Sequence, residues 1–491
     1  MKPLALALLS ALLAVAAFPS PGLSFLAPFC FVPLLLAIAW EPDPKRRLLC
    51  GWAAGIVYWA GICYWIGFVL EQYGGMSLPL VWLSFSLFCI LKAMNFAAFG
   101  YLAGFLIHSR WAILATAALW TGLERVYGPF GFAWFALGNA GIGMSVPMRL
   151  APVTGVYGLS FVFFLINAAV ALLILRRPRL HIAPLLLLPL LLLLPPLPSF
   201  EEGTRTAVAV QPNIEEREDW TATMFENTLR REVQLTLDVA ANASPRPDMV
   251  LWPEVPAPYY YETDPFFREQ VTHVARTART DFLFGAVART PGGAPLNSVF
   301  ELGPEGGFVA RYDKINLVPF GEYVPPLFNW IQKISSEAGS FAPGSVPSPL
   351  PLTAGKAGVF ICYESVFPHY VRQFVADGAG VLVNLSNDGY FGHSAARDQH
   401  LLIARMRAAE NGRWLIRATN DGITVAIDPA GRITGRLNPY TQAAARLRFS
   451  WRADETPYTR YGDWFVWSCL AAGLLACAAG LRRYFLLRPI S

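Results

Sequence analysis

Three residues in the polar middle of the chain could together transfer an acyl group. Glu254, Lys314 and Cys362 each follow a short extended segment. A thiol is a good nucleophile only as a thiolate, so a nearby carboxylate could take its proton while an ammonium stabilises the oxyanion on an acyl carbon. The residue types therefore predict nucleophilic catalysis, with Glu254 as general base, Lys314 as oxyanion stabiliser and Cys362 as nucleophile.

Other interpretations of these residues remain open. Cys362 could be a small buried apolar residue and Glu254 a solvated carboxylate, although Cys362 is the one cysteine of the polar middle. A Cys–His protease could use His273, His393 or His400, whereas the chain has no Gly-x-Ser-x-Gly motif for a serine hydrolase. The spacing of cysteine and histidine predicts neither a metal site nor a cofactor.

The elements that must position these residues alternate between strands and helices over residues 204–450. Strands are predicted at 206–210, 248–252, 281–287, 296–301, 358–361, 380–384, 413–418, 422–427 and 443–449. Helices are predicted at 222–241, 266–280, 366–376 and 395–411. Such alternation is typical of an α/β domain with helices packed on its sheet, where active groups gather at strand ends.

Long apolar runs flank this domain. Hydrophobic residues make up 54% of the 491 residues and charged residues only 15%, which excludes a disordered chain and a soluble monomer. Runs of about 17–25 apolar residues can span a bilayer as helices. Eight such runs lie at about 3–18, 24–40, 50–70, 76–107, 111–124, 153–175, 182–198 and 463–481. We therefore predict a transmembrane domain over 1–198, an inserted catalytic domain over 204–450 and an eighth span over 463–481.

Basic residues predict the orientation of the spans. Lys2, Arg110 and the clusters at 45–47, 176–179 and 482–483 all fall on one side once the spans are threaded through a membrane. By the positive-inside rule, both termini are cytoplasmic and the insert lies on the exported face. In a bacterium this arrangement predicts a multi-pass inner-membrane protein with a periplasmic catalytic domain.

The first 20 residues fit two descriptions. Their basic start, apolar core and small residues suit a cleaved signal peptide, but the turn at 19–22 joins them directly to the next run, which favours a retained span. A transporter is disfavoured because only Lys92 and the pair Glu124-Arg125 place charge in the spans. The net charge of +5 is explained by topology and predicts no nucleic-acid partner.

The stretches around the three residues resemble the nitrilase superfamily. The matching stretches are Trp252-Pro253-Glu254, Lys314 through Glu322, Cys362-Tyr363-Glu364, 385–388 and 405–412. The resemblance implies an αββα sandwich with a Glu-Lys-Cys triad. The seven-plus-one layout of spans, with Phe132-x-Trp134 among its motifs, resembles more specifically the bacterial apolipoprotein N-acyltransferases, in which residues matching Glu322, Tyr363 and Glu364 are also required.

This resemblance implies a two-step transfer without a cofactor. Glu254 would deprotonate Cys362, and the thiolate would take an acyl chain from a phospholipid, typically phosphatidylethanolamine, as a thioester. The α-amino group of the diacylglyceryl-cysteine that begins an apolipoprotein would then attack the thioester, while Lys314 and the Tyr363 N–H hold the oxyanion. The product would be a triacylated lipoprotein, and the enzyme would work as a monomer.

Apolar residues of two segments predict lipid contacts. A thioester that awaits an amine must be shielded from water. The segments 259–267 and 323–341, the second with Phe328, Trp330 and Phe341, are candidate lids that dip into the outer leaflet. Ordinary core packing is the alternative. Trp134 belongs to a region at 124–134 that is a candidate arm near the lipid entrance, with a packed re-entrant turn as the alternative.

Two other functions compete with this prediction. A membrane-tethered amidase of the same superfamily could use the same three residues, although eight spans exceed what a tether requires. A transporter or assembly factor with a degenerate insert would have no need of an intact Glu, Lys and Cys set.

Overall fold

The chain folds into two compact units. The computed structural model describes residues 1–128, 131–215, 219–241, 243–319, 321–323 and 341–486. The first unit, called the helical unit here, comprises Met1–Glu71, Met76–Leu197 and Tyr461–Ser491. The second, called the sheet unit, comprises Gln72–Gly75 and Pro198–Arg460.

The helical unit consists of apolar helices joined by short turns. Its α-helices are Lys2–Ala16, Val32–Trp40, Pro44–Ile62, Trp65–Gln72, Leu78–Lys92, Met94–Ala103, Ala112–Val126, Ala151–Thr154, Val156–Ile174 and Trp464–Leu486. Its 3₁₀ helices are Ser24–Leu26, Leu137–Gly143, Pro147–Leu150 and Arg179–Leu193. Many leucines of these helices are exposed, as expected of a surface that faces lipid.

Glycines allow these helices to pack closely. A Cβ atom on Gly51 would lie 2.3 Å from the carbonyl oxygen of Phe96, and one on Gly122 would lie 2.5 Å from the Cα of Leu470. Small residues at such contacts are common in membrane proteins, where van der Waals packing drives helix association.

The helices are shorter than the apolar runs that predicted eight spans. Within the described residues, three helices are long and apolar enough to cross a membrane, or four if the pair Pro44–Ile62 and Trp65–Gln72, bent by 59°, forms one broken span. Lys2–Ala16 and Ala112–Val126 have 15 residues each, or about 22 Å of α-helix against a hydrocarbon core of about 30 Å. The seventh run forms a 3₁₀ helix, Arg179–Leu193, because Pro184 and Pro189 interrupt α-helical hydrogen bonding.

The sheet unit contains two six-stranded sheets. Its strands are β1 Arg205–Gln211, β2 Met249–Leu251, β3 Asp281–Arg289, β4 Pro295–Leu302, β5 Phe308–Asp313, β6 Leu350–Leu352, β7 Gly355–Ile361, β8 Val381–Ser386, β9 Leu415–Thr419, β10 Val425–Ile427, β11 Ile433–Arg436 and β12 Ala443–Phe449. The strand orders are β12-β1-β2-β3-β4-β5 and β11-β10-β9-β8-β7-β6. The central strands β1, β2 and β3 run parallel, as do β7, β8 and β9.

Helices cover the outer faces of both sheets. Ala222–Ala240 and Pro265–Ala278 belong to the first sheet, and Pro368–Ala376 and Ala396–Asn411 to the second. The inner faces pack on each other through β1 with β9 and β4 with β7. The predicted αββα sandwich is therefore confirmed. A short helix, Pro457–Tyr461, follows the last strand.

Two differences from the predicted elements are local. The helix predicted at 366–376 begins at Pro368, because Cys362–Val366 form a 3₁₀ turn directly after β7. Strands β6 and β11 have only three and four residues, too few for an alternating pattern to be visible.

Candidate active site

The three predicted residues come from both sheets. Glu254 follows β2 and Lys314 follows β5 of the first sheet, whereas Cys362 follows β7 of the second. All three are buried, with relative exposures of 6%, 1% and 7%. The inner faces of the sheets thus bring together residues that are far apart in the sequence, with 108 positions between Glu254 and Cys362.

Lys314 is bound by two carboxylates. Its Nζ lies 2.9 Å from Oε1 of Glu254 and 2.9 Å from Oε1 of Glu322. Burial tends to lower the pKa of Lys314, but the two carboxylates outweigh burial and raise this pKa well above its usual value. The ammonium is therefore permanently charged and fixed in direction.

An amide within β4 links the same two carboxylates. Nδ2 of Asn297 donates to Oε1 of Glu254 at 2.7 Å and to Oε1 of Glu322 at 2.8 Å. Backbone N–H groups hold the remaining oxygens, Asn387 donating to Glu254 at 2.9 Å and Val318 to Glu322 at 2.8 Å. Each carboxylate is thus held at both oxygens, which limits its freedom to rotate.

Cys362 has a strained backbone. Its φ of 47° lies in the left-handed region that non-glycine residues seldom adopt, at a cost of about 1–3 kcal/mol. A sharp turn directly after a strand projects its side chain away from the backbone that precedes and follows it, where a substrate can approach. Cys362 therefore lies at a sharp turn directly after β7.

Charges around the thiol act in opposite directions. Burial, followed by the charge of Glu254, raises the pKa of Cys362, while the charge of Lys314 and a hydrogen bond with Ser386 lower it. The net effect is a raised pKa, so the resting residue is a thiol.

Glu364 ties the nucleophile's turn to the segment that carries Lys314. Its Oε2 accepts from the N–H of Ile361 at 2.8 Å and from the hydroxyl of Tyr312 at 2.6 Å. Its Oε1 accepts from the N–H groups of Ile315 and Asn316 at 2.8 and 3.0 Å. This fully buried carboxylate therefore fixes the ends of β5 and β7 relative to each other.

The other predicted residues lie in different surroundings. Tyr363 is buried beside Phe367, with ring centres 5.3 Å apart. Phe341 is half-buried, and its N–H donates to the carbonyl of Glu322 at 3.0 Å. Phe328 and Trp330 lie outside the described residues.

Trp134 belongs to the interior of the helical unit. It is 4% exposed, with its ring centre 4.9 Å from that of Trp65 and 6.0 Å from that of Phe132. This environment resembles the packed turn that was the alternative to an arm near the lipid entrance.

The histidines weighed for a protease do not form a Cys–His pair of the expected kind. His273 is exposed on its helix, and the ring of His393 stacks on Tyr440 at 4.2 Å. His400 is buried, but Nε2 of its ring contacts the backbone carbonyl oxygen of Cys362, at 3.0 Å.

Several contributors to the site were missed by sequence reasoning. Asn297 lies inside a strand whose other residues are mostly apolar, and Ser386 was noted only as part of a family motif. The contact of Asn387 with Glu254 uses a backbone N–H, so the type of side chain at position 387 could not predict it. Pairing of β3 with β4 could have placed Asn297 on the inner face, had the register been known.

Comparisons with known proteins agree with both parts of this description. Residues 10–169 match the N-terminal domain of apolipoprotein N-acyltransferase, and residues 206–445 match the carbon-nitrogen hydrolases. Apolipoprotein N-acyltransferase from Geobacter metallireducens is 35% identical, over 97% of this chain and 95% of that protein. The enzyme of that name from Azotobacter vinelandii is also 35% identical, over 93% and 92%.

A solved structure is also similar to part of the chain. The carbon-nitrogen hydrolase from Helicobacter pylori is 17% identical with a TM-score of 0.38, and the match covers 50% of this chain and 89% of that one.

Proposed function

Since the chain belongs to the apolipoprotein N-acyltransferase family, we propose that it transfers a fatty acyl chain from a phospholipid, through a thioester on Cys362, to the N-terminal diacylglyceryl-cysteine of an apolipoprotein. The main support is the position of the ammonium of Lys314, 2.9 Å from both Glu254 and Glu322. This arrangement can move a proton from the thiol without losing the cation that stabilises the oxyanion.

In the first step, Glu254 acts as general base toward Cys362. The thiolate attacks the carbonyl carbon of a phospholipid ester such as that of phosphatidylethanolamine, a carbon–sulfur bond forms and the ester carbon–oxygen bond breaks. Glu254 returns the proton to the departing alkoxide, which leaves as lysophospholipid. Lys314 and the N–H of Tyr363 stabilise the oxyanion of the tetrahedral intermediate.

In the second step, the α-amino group of the acceptor attacks the thioester. Glu254 takes the amine proton and passes it to the departing sulfur, which restores the thiol of Cys362. The product is an amide, and the overall reaction consumes one phospholipid and one diacylated lipoprotein. No cofactor is required in either step.

Glu322 keeps Lys314 charged during both steps. When Glu254 is protonated, it no longer offers a negative charge to the ammonium, but Glu322 still does at 2.9 Å. The second carboxylate therefore preserves both the charge and the direction of Lys314 when the oxyanion forms.

We further propose that the protein lies in the bacterial inner membrane with both termini in the cytoplasm and residues 204–450 in the periplasm. The distribution of basic residues supports this orientation. Seven spans in 1–198 and one at 463–481 are part of this proposal, and the seventh run is long enough for it, since a 15-residue 3₁₀ helix such as Arg179–Leu193 extends about 30 Å. Nothing in the mechanism requires a second copy, so a monomer is proposed.

The proposal also gives a lid role to two aromatic residues. Phe328 and Trp330 would shield the thioester from water and guide lipid chains. Replacing both by serine is expected to increase hydrolysis of the thioester and to slow lipid-dependent acylation. Unchanged rates of both processes would contradict a lid role.

A transfer assay tests the function directly. The purified protein is mixed with phosphatidylethanolamine that carries a labelled acyl chain and with a diacylglyceryl-cysteine peptide, and the label on the peptide amine is followed. A membrane-tethered amidase would leave the peptide unlabelled and would release ammonia from a soluble amide without phospholipid. That outcome would contradict the proposal.

A further inference from the structure

A buried imidazole contacts the backbone of the nucleophile. His400, in the helix Ala396–Asn411, is completely buried. Its Nε2 lies 3.0 Å from the carbonyl oxygen of Cys362 and 2.8 Å from the Oγ of Ser365. Because a carbonyl oxygen only accepts hydrogen bonds, the contact with Cys362 is a hydrogen bond in the tautomer that carries its hydrogen on Nε2. In that tautomer, the imidazole donates to the strained turn after β7.

The other ring nitrogen faces a buried ion pair. Nδ1 of His400 lies 3.0 Å from Nη2 of Arg417 and 3.2 Å from Oδ1 of Asp388. Nη2 also contacts both oxygens of Asp388, at 2.7 and 2.8 Å. A neutral ring that donates from Nε2 can accept at Nδ1 from Arg417. Burial and then the charge of Arg417 lower the pKa of His400 despite the opposing effect of Asp388, which favours this neutral form.

The same cluster contacts the nucleophile at a second point. Ser386 Oγ lies 3.0 Å from Oδ1 of Asp388, and a hydrogen bond with Ser386 also acts on the thiol of Cys362. Asp388 is therefore linked to the carbonyl of Cys362 through His400 and to its thiol through Ser386. None of these groups takes part in the proton transfers proposed above.

We propose that His400 is a positioning residue, which aims the thiol of Cys362 by holding its carbonyl oxygen, while Asp388 and Arg417 fix the orientation of the imidazole. The inference rests on the proposed function, since it assumes that Cys362 becomes acylated. The hydrogen bond from His400 restrains the left-handed conformation of Cys362, alongside the contacts of Glu364 and Ser386 with the same turn, so the geometry of attack should depend on it. The rate of acylation should depend on it, and binding of the phospholipid should not.

Two amide substitutions of similar polarity separate this role from simple packing. In His400→Gln the side-chain NH₂ can reach the position of Nε2 and still donate to Cys362. In His400→Asn the NH₂ reaches only the position of Nδ1 and leaves the carbonyl without its donor. His273→Asn, at an exposed position of the same unit, is the matched control.

The measurement is the rate at which the full-length protein in detergent gains one acyl mass from phosphatidylethanolamine, divided by the folded fraction from size-exclusion chromatography. His400→Asn is expected to lower the maximal rate by about tenfold or more, with the half-saturating lipid concentration within about twofold of wild type. His400→Gln should stay within about threefold of wild type, and His273→Asn should match it.

Three results would overturn the inference. A folded His400→Asn protein that is acylated at the wild-type rate shows that the hydrogen bond does not aim the thiol. If that variant fails to fold, His400→Gln provides the test. A rate for His400→Gln more than about tenfold below wild type shows that donation to the carbonyl of Cys362 does not determine the rate of acylation. Wild-type protein that gains no acyl mass contradicts the proposed function itself, and this inference with it.

Discussion

In the sheet unit the buried ammonium of Lys314 lies between two carboxylates, whereas in the helical unit the buried ammonium of Lys92 lies against backbone carbonyls. Nζ of Lys92 donates to the carbonyls of Tyr127 and Phe132, the latter at 2.7 Å, and lies 4.6 Å from the ring centre of Trp59. Both lysines are almost completely buried, with exposures of 1% and 2%.

Carboxylate and carbonyl partners differ in whether their charge can change. A carboxylate can accept a proton and lose its charge, so the surroundings of Lys314 change during a reaction. A carbonyl does not titrate, so the contacts of Lys92 with Tyr127 and Phe132 do not change their charge. The buried carboxylate Glu124 of the helical unit has neutral partners, since its Oε1 accepts from Trp120 Nε1 at 2.9 Å and from the N–H of Leu137 at 2.8 Å. Under the proposed function, the charges of the sheet unit would take part in chemistry, whereas the charge of Lys92 would serve structure alone.

The largest expected effect comes from removing the ammonium between the carboxylates. Lys314→Met leaves Glu254 and Glu322 buried without a cation, so the free energy of unfolding should fall by about 3–5 kcal/mol. The folded fraction should acylate about 10²–10³-fold more slowly because the oxyanion loses its cation. Thermal unfolding and the acyl mass gain measure the two effects. Lys356→Met, at an exposed lysine of the same unit, is the control, and equal behaviour of the two variants would contradict this role.

A smaller effect is expected from neutralising only the second carboxylate. Glu322→Gln keeps a hydrogen-bond acceptor near Lys314 but removes the charge that remains when Glu254 is protonated. Acylation should slow by about 10- to 100-fold, with little change in the lipid concentration that gives half the maximal rate. Steady-state kinetics with labelled phosphatidylethanolamine test this. A wild-type rate would show that Glu254 alone keeps Lys314 in its active state.

The equivalent substitution in the helical unit should lower stability without changing the rate of acylation. Lys92→Met leaves the carbonyls of Tyr127 and Phe132 without their donor, which should lower the free energy of unfolding by about 1–2 kcal/mol. The rate of acylation per folded molecule should stay within about threefold of wild type. Melting curves and kinetics of Lys92→Met and of the exposed-site control Lys45→Met separate the two effects. A loss of rate at an unchanged melting temperature would mean that Lys92 acts on a substrate.

A further effect, visible only in the pH dependence of stability, concerns a buried acid of the sheet unit that has a neutral partner. Glu232 accepts from the hydroxyl of Tyr259, and burial raises the pKa of Glu232 from 4.5 to about 8 despite that hydrogen bond. The unfolded chain loses this proton near pH 4.5 and the folded protein only near pH 8, so this group's contribution to stability declines as the pH rises through that window. Its slope is at most about 1.4 kcal/mol per pH unit.

Glu232→Gln should therefore flatten the decline in melting temperature between pH 5 and about pH 8. The exposed residue Glu226, on the same helix, provides the matched control Glu226→Gln. Parallel curves for wild type and Glu232→Gln would show that Glu232 is ionised in the folded protein across this range.

The ends of the central strands could be predicted from the sequence because short apolar runs stop abruptly there. Pro253 closes the run before Glu254, and a polar Tyr-Glu pair follows Cys362, so the positions of both residues at strand ends were visible. The helices on the outer faces were equally clear, because their apolar residues repeat with the helical period.

Contacts across the two sheets were not predictable in the same way. Glu364 accepts hydrogen bonds from Tyr312, Ile315 and Asn316, which lie about 50 residues earlier in the chain. The contact of Asn297 with both carboxylates depends on strand register, and that of His400 on how its helix packs against the turn after β7. No local pattern of residue types encodes these pairings.

The number of spans could not be read from the apolar runs alone. Hydropathy detects an apolar run but not the helix within it, and the second run, 24–40, contains an α-helix of only nine residues, Val32–Trp40. The prolines of the seventh run gave the only sign that its helix would depart from α geometry.

The central claim is that Cys362 carries the acyl chain, and the most direct test is the intact mass of the protein after incubation with phosphatidylethanolamine and no acceptor. We predict that the wild-type protein gains the mass of one acyl chain and that Cys362→Ala gains none. Addition of a diacylglyceryl-cysteine peptide should remove the added mass and acylate the peptide. An unchanged mass for the wild-type protein, with free fatty acid released into solution, would contradict the claim.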